Sequence, residues 1–203
     1  STSMKLYGSK TSPYVRKVRV QALEGGYWDK LEFVELSTTP IDPAAAIANP
    51  IKKVPTLELD DGSILYDSPV VCEYLDATIG GGAFPASGDA RWTALGLQAL
   101  GDGLLDAALL ARYETSLRPA EFLWSDWERA QMSKVDGALV ELDSQASIFG
   151  ERVDIGTITA ACALGYLDFR YADKDWRGAY PSAASWYAAF SARPSMMETV
   201  PPA

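Results

Sequence analysis

The chain has 203 residues, 18 basic and 27 acidic, for a net charge of −9. That is enough length to bury one large core or two modest ones, and the wrong sign for nucleic-acid or anionic-membrane partners, neither of which is expected. It contains no histidine, which excludes Ser-His-Asp triads, Cys-His dyads and histidine-ligated zinc, and leaves hydroxyls, carboxylates, amines, backbone groups or a reactive co-substrate to run any chemistry.

The first three residues, Ser1-Thr2-Ser3, read as an expression remnant ahead of Met4 and carry no fold signal. Lys5-Leu6-Tyr7-Gly8 reads as a short strand and Ser9-Lys10-Thr11-Ser12 as a turn. Pro13 stands where a helix can begin without losing a hydrogen bond. Val15, Val18, Val20 and Leu23 then punctuate a basic helix that Gly25-Gly26 ends. Residues 31–36 alternate as a second strand. Pro40, Pro43 and Pro50 frame an irregular stretch with a short helix expected at residues 43–48. Residues 54–59 and 63–66 form a hairpin about Asp61-Gly62, and Ser68-Pro69 opens a helix carrying Val71, Tyr74 and Leu75.

Beyond Leu75 the texture changes. Gly80-Gly81-Gly82, Pro85 and Gly88 make a linker, after which no strand pattern appears. One helix is expected from Asp89 or Ala90 to before Pro119, a second over about residues 121–146, a third over residues 154–169, and a last from Pro181 to Arg193-Pro194. The two cysteines, Cys72 and Cys162, fall at core spacing on helices, show no metal-ligand pattern and are too few for a disulfide framework, which fits a reducing cytoplasm. No apolar run approaches the roughly 18 residues of a membrane span, and no export signal is read at the start. The chain therefore divides into an α/β domain at residues 4–78, a linker at residues 79–88 and an all-helical domain at residues 89–203.

Short segments of both halves carry a family resemblance. Val54-Pro55, Asp67-Ser68 after the hairpin and a helix ending Tyr74-Leu75 resemble the glutathione-site signature of the glutathione transferase superfamily. Thr11-Ser12-Pro13-Tyr14-Val15-Arg16-Lys17 resembles its active-site loop and first helix. Asp102-Gly103-Leu104-Leu105-Asp106-Ala107, Arg112-Tyr113-Glu114, Gly165-Tyr166-Leu167-Asp168-Phe169-Arg170 and Arg193-Pro194-Ser195 resemble the short bacterial YibF-like subgroup, so the likeness covers nearly the whole chain. It implies a thioredoxin-like glutathione-binding domain followed by a helical-bundle domain that forms a hydrophobic substrate pocket. It also implies a homodimer and no metal.

The resemblance assigns roles residue by residue. Pro55 would follow a cis bond that lets Val54 present its N–H and C=O to the cysteinyl backbone of glutathione, as an added strand does. Ser68 would take the γ-glutamyl carboxylate and Asp67 the amino group. A hydroxyl and free N–H groups at a helix N-terminus suit an anion, and a plain N-cap worth about 1 kcal/mol is the alternative role for Ser68. Lys53 stands where the family often has a basic residue for the glycyl carboxylate, whereas Lys52 reads as a solvated charge.

Ser12 is the residue expected at the thiol. A free thiol has a pKa of about 8.5, and a hydroxyl aimed at the sulfur beside the helix start at Pro13 favours thiolate. Each unit of lowering needs about 1.4 kcal/mol, within reach of one charge-assisted hydrogen bond and a helix dipole. Ser12 donates and is not a nucleophile, since no base exists to activate it. Thr11 is the alternative and Tyr7 a third candidate. No cysteine stands in the loop, so thiol–disulfide exchange is not expected.

Tyr14, Arg112 and Tyr113 are expected at the second-substrate pocket. Trp124, Tyr166 and Arg170 could line it too, although aromatic residues at helical spacing equally serve a core. Asp102 and Asp106 could face a partner subunit. Asp154 with Thr157 resembles the family's N-capping box, weakened because Thr157 replaces the usual acid. The function implied is glutathione-dependent transfer to a small hydrophobic electrophile, a detoxification chemistry, with glutathione as co-substrate. A peroxidase, dehalogenase or isomerase on the same site is an alternative, as is a non-catalytic binding protein of the same fold.

Overall fold

In the computed structural model, which describes residues 4–203, Ser1-Thr2-Ser3 lies outside the described part. The chain order begins with β1 (Met4–Gly8), α1 (Pro13–Glu24), β2 (Leu31–Glu35), β3 (Thr56–Glu58), β4 (Ile64–Leu65) and α2 (Ser68–Thr78). It continues with α3 (Gly88–Ser116), α4 (Ser125–Ala146), α5 (Ile155–Arg170), α6 (Trp176–Ala179), α7 (Pro181–Phe190) and α8 (Pro194–Glu198). Contacts divide it into two compact units. One runs up to Ala86 and takes in Pro194–Ala203; the other is Ser87–Arg193.

The first unit is a sheet with strand order β2-β1-β3-β4. The β1-α1-β2 crossover makes β1 and β2 parallel, while β1–β3 and β3–β4 are antiparallel. Leu6 and Leu57, paired across β1 and β3, are buried with Val15, Val18 and Ala22 of α1 and Val71, Cys72 and Leu75 of α2. The strand expected from residue 54 begins only at Thr56, since Pro55 has no N–H for the ladder. α1 stops at Gly25, and Gly26 follows at φ 75, the left-handed conformation glycine tolerates.

The short helix expected at residues 43–48 does not form. Asp42 Oδ1 accepts the Ala44 N–H at 2.9 Å and Asn49 Oδ1 accepts the Ile51 N–H at 2.9 Å. Such side-chain bonds turn the backbone at both ends of the segment and compete with helix formation. Pro194–Ala203, counted in chain order with the helical half, packs on the first unit. Arg16 Nε donates to Thr199 Oγ1 at 3.0 Å, Arg16 Nη2 to the Met196 carbonyl at 2.9 Å, and Ser195 Oγ to Glu24 at 2.6 Å.

In the second unit α3 packs against α4 and α5, and α4 against α7. α5 is buried on every side from Ile155 to Leu167, as an apolar central helix must be. Two glycines set its distance from α3. A Cβ on Gly101 would lie 2.7 Å from Thr159 Cγ2, and one on Gly156 would lie 2.8 Å from the Ala94 carbonyl oxygen. α3 also carries an 18-residue window of mean hydropathy 1.3, long and apolar enough to cross a membrane, which the search for apolar runs missed. Half of that window is buried inside the protein.

Three local features depart from expectation. The helix expected from about residue 121 starts at Ser125, because residues 120–122 form a separate 3-10 turn and Glu114 takes the Trp124 N–H at 2.9 Å. The short α6, capped by Asp175 and buried at Trp176, had no signal in the spacing. The cap of α5 is complete: Asp154 accepts from Thr157 N–H at 2.9 Å and Thr157 Oγ1 accepts from Asp154 N–H at 3.0 Å. A hydroxyl therefore does the work of the usual acid, and Arg152 pairs with Asp154 at 2.6 Å.

Replacing Gly156 by alanine forces its new methyl into backbone rather than into a mobile side chain. The expected loss is about 1–3 kcal/mol, read from the urea-unfolding midpoint; an unchanged midpoint would show that α3 and α5 can separate freely.

Candidate functional site

The register Tyr7↔Thr56 places Gly8 opposite Pro55, and Leu57↔Leu65 places Tyr66 beside Thr56. The loop before α1, the residues preceding β3 and the start of α2 thus meet at one end of the sheet. Ser12 and Thr11, Lys53-Val54-Pro55 and Asp67-Ser68 are the side chains and backbone gathered there.

Ser12 caps α1 from an extended backbone, and its Oγ accepts the Val15 N–H at 3.2 Å. That bond uses a lone pair only. The hydroxyl proton remains available to donate, and the bonded N–H strengthens it as a donor. Thr11 shares its hydroxyl with Ser9, 3.3 Å away. Tyr7 donates to Glu58 at 3.3 Å, and burial together with the Glu58 charge holds its pKa above the ordinary tyrosine value.

Val54–Pro55 is a cis peptide, as is Tyr66–Asp67. A buried asparagine fixes the segment ahead of Pro55. Asn49 Nδ2 donates to the Lys53 carbonyl at 3.2 Å and to Thr56 Oγ1 at 3.0 Å, and Thr56 Oγ1 donates to the same carbonyl at 2.8 Å. Lys52, at φ 54, folds its Nζ back onto the Ile47 carbonyl at 3.2 Å, whereas Lys53 is exposed.

At α2 the cap position belongs to Asp67, whose exposed carboxylate makes no capping bond. Ser68 is the first helical residue, so its plain N-cap role is set aside. Its buried Oγ accepts from Lys17 Nζ at 3.3 Å, and Lys17 is itself fully buried. An ammonium therefore lies beneath the positive end of α2, behind a hydroxyl whose proton can point outward. With the Asp67 carboxylate alongside, this arrangement can hold both ends of a zwitterionic α-amino acid.

Lys17 and Asn49 were missed in the sequence. The Asn49-Pro50 dipeptide was a usable turn signal; Lys17 had none, because α1 reads as a basic, solvated helix. Cys72 and Cys162 are thiols at 0 % exposure. No group of His, Cys, Asp and Glu able to hold a metal occurs among the described residues.

The expected pocket residues fall in different units. Tyr14 is on α1, while Arg112 and Tyr113 are on α3. Tyr166 and Arg170 lie one turn apart on α5, and Tyr171 donates to the Ala108 carbonyl of α3 at 2.6 Å. Burial pushes the Tyr166 phenol up to about 12 and, with the charge of Arg112, lowers the Arg170 guanidinium from its ordinary value. Trp124 is 62 % exposed, which removes it from the core.

Family models for the glutathione S-transferase N-terminal and C-terminal domains match residues 6–82 and 107–189. The chain is 32 % identical to the uncharacterized GST-like protein YibF of Escherichia coli (strain K12), over 98 % of this chain and 99 % of that protein. It is 42 % identical to a glutathione transferase family member from Pseudomonas fluorescens Pf-5 solved with bound glutathione, at a TM-score of 0.94 over 99 % of this chain and 100 % of that one. A structure from the same strain with bound S-(propanoic acid)-glutathione superposes at 0.93, with the same identity and coverage. A glutathione S-transferase from Methylobacillus flagellatus KT with glutathione bound is 37 % identical, at 0.87 over 98 % and 100 %.

Ser68→Ala removes one acceptor from the buried Lys17 ammonium. Hydrogen bonds to charged groups are worth about 1.5–3 kcal/mol, so chemical denaturation should show a loss of that size. A variant as stable as the parent would mean that the contact contributes nothing to folding.

Proposed function

Because the chain belongs to the glutathione S-transferase superfamily, in its YibF-like branch, we propose that it binds glutathione and activates the thiol for attack on a small hydrophobic electrophile. The observation that carries this reading is Ser12, a hydroxyl fixed at the N-terminus of α1 with its oxygen engaged and its proton available. The glutathione held by relatives at 42 % and 37 % identity supports it.

Residues 4–78 bind the tripeptide in this reading, and residues 89–203 supply the hydrophobic pocket. Ser68 and the first N–H groups of α2 hold the γ-glutamyl carboxylate, with the Lys17 charge behind them. Asp67 takes the γ-glutamyl ammonium. Val54 pairs its backbone with the cysteinyl residue, in a loop that Asn49 and Thr56 hold rigid. Lys53 reaches the glycyl carboxylate from the surface, a task Lys52 cannot share while it bonds the Ile47 carbonyl.

Ser12 donates to the sulfur, and the positive end of α1 favours the charge there. Glutathione supplies the nucleophile: its sulfur electron pair forms the new S–C bond. The electrophile then either expels its leaving group or, if an activated alkene, takes a proton from water. Thr11, tied to Ser9, and Tyr7, tied to Glu58, are the weaker donors. The working assembly in this reading is a homodimer, and the two buried thiols suit a reducing cytoplasm.

Thiolate absorbance of bound glutathione, titrated against pH, tests the mechanism. Wild type should hold thiolate near neutral pH, well below the free-thiol value of about 8.5, and Ser12→Ala should raise the midpoint by about one unit, equivalent to about 1.4 kcal/mol. An unchanged midpoint moves the role to Thr11 or Tyr7. If wild type binds no glutathione, the transferase reading gives way to a non-catalytic binding protein.

A further inference from the structure

A cavity of about 520 Å³ opens on the second unit, and every residue lining it belongs to that unit. Met132 of α4 forms one wall. Phe169 and Arg170, at the end of α5, form the other with the turn from Tyr171 to Lys174. Three bonds brace the walls. The Tyr171 hydroxyl donates to the Ala108 carbonyl of α3 at 2.6 Å, the Lys174 N–H donates to the Tyr171 carbonyl at 2.9 Å, and Lys174 Nζ reaches Asp136 of α4 at 2.6 Å. Asp136 stands one turn beyond Met132 on the same helix, so that last bond ties the two walls together.

The charges around this cavity do not balance. Lys174 is paired with Asp136, and elsewhere in the unit Arg118 pairs with Glu114 at 2.6 Å and Arg177 with both oxygens of Asp168 at 2.7 Å. Arg170 makes no hydrogen bond or ion pair among the described residues; its guanidinium lies 3.9 Å from the centre of the Phe169 ring instead. That stacking orients the flat donor fork and leaves its N–H groups for a ligand. Burial, then the charge of Arg112, lowers the Arg170 pKa, with only Tyr166 acting against them. Asp173, the acid in the lining, is exposed and bonds neither cation.

We propose that this cavity binds a carboxylic acid with an aromatic body, its carboxylate on Arg170 and its ring against Met132 and Tyr171, independently of glutathione. A planar carboxylate matches the guanidinium fork in two parallel bonds. The Met132 thioether adapts to a ring and attracts it. Tyr171 has spent its hydroxyl on Ala108 and offers its ring. A single unpaired cation, with Asp173 at the rim, suits a monoanion better than a phosphate dianion. The volume falls within the range of small-molecule pockets, about 300–1,000 Å³. The lining includes none of Tyr14, Arg112 and Tyr113, expected at the second-substrate pocket, and none of the residues named for glutathione. A helix-end role for Arg170, complementing the C-terminus of α5, needs no ligand and predicts no preference for acids.

The test is isothermal titration of the full chain, without glutathione, with 4-phenylbutanoate and with the neutral amide of the same acid. Wild type should bind the acid about tenfold more tightly than the amide. Arg170→Gln should bring that ratio to about unity, and Arg170→Lys, which keeps the charge at the helix end but not the fork, should also lower it. Met132→Ala should weaken both probes and keep the ratio, because it removes wall and not charge. Arg129→Gln, the same change of charge at an exposed arginine paired with Asp126, should alter neither affinity. The site is overturned if wild type binds neither probe or both equally, or if the ratio survives Arg170→Gln. Affinities untouched by Met132→Ala, or acid binding that appears only with glutathione present, also overturn it. Each of these outcomes leaves the transferase reading standing.

Discussion

β1 and β3 run antiparallel with Tyr7 against Thr56, and that pairing positions everything at the candidate glutathione site. A slip of one residue would exchange the two faces of each strand. Leu6 and Leu57 would leave the core, and the buried Thr56 hydroxyl would no longer reach the Lys53 carbonyl. The same register brings Ser12, Pro55 and Ser68 to one sheet end although they come from three separate segments of the chain. The apolar cost of exposing the two leucines thus also protects the polar geometry.

At that end the groups proposed to meet the ligand are hydroxyls, and their protein partners leave each able to donate. Ser12 accepts from a backbone N–H and Ser68 accepts from an ammonium. In both cases the oxygen is satisfied internally while the proton stays free for a ligand. A chain without histidine has few ways to stabilise a developing anion. Helix N-termini with oriented hydroxyls are one, and they need no proton movement during the reaction.

The α/β order, the hairpin, the cap of α5 and the segments at the sheet end were legible because each is a local signal: a period, a Pro or Gly position, a Ser or Asp before an apolar run. Residues 43–48 misled because helix propensity was read there without the side-chain bonds of Asp42 and Asn49. Lys17 and Arg16 escaped for a different reason. Their sequence neighbours describe one apolar face of α1, but these two residues are covered by partners distant in the chain, Ser68 for Lys17 and Thr199, 183 positions away, for Arg16. No spacing rule within a helix reports what covers its second face. That the buried Tyr166 hydroxyl has no partner among the described residues was not legible either, because only coordinates show which polar groups go unpaired.

The two donor groups differ in how they are held. The hydroxyls of the first unit each take one internal bond, so leaving the proton outward costs little. Among the described residues the Tyr166 hydroxyl has none, and a buried unsatisfied polar group costs about 1–3 kcal/mol. Phenylalanine would remove that penalty without opening a cavity.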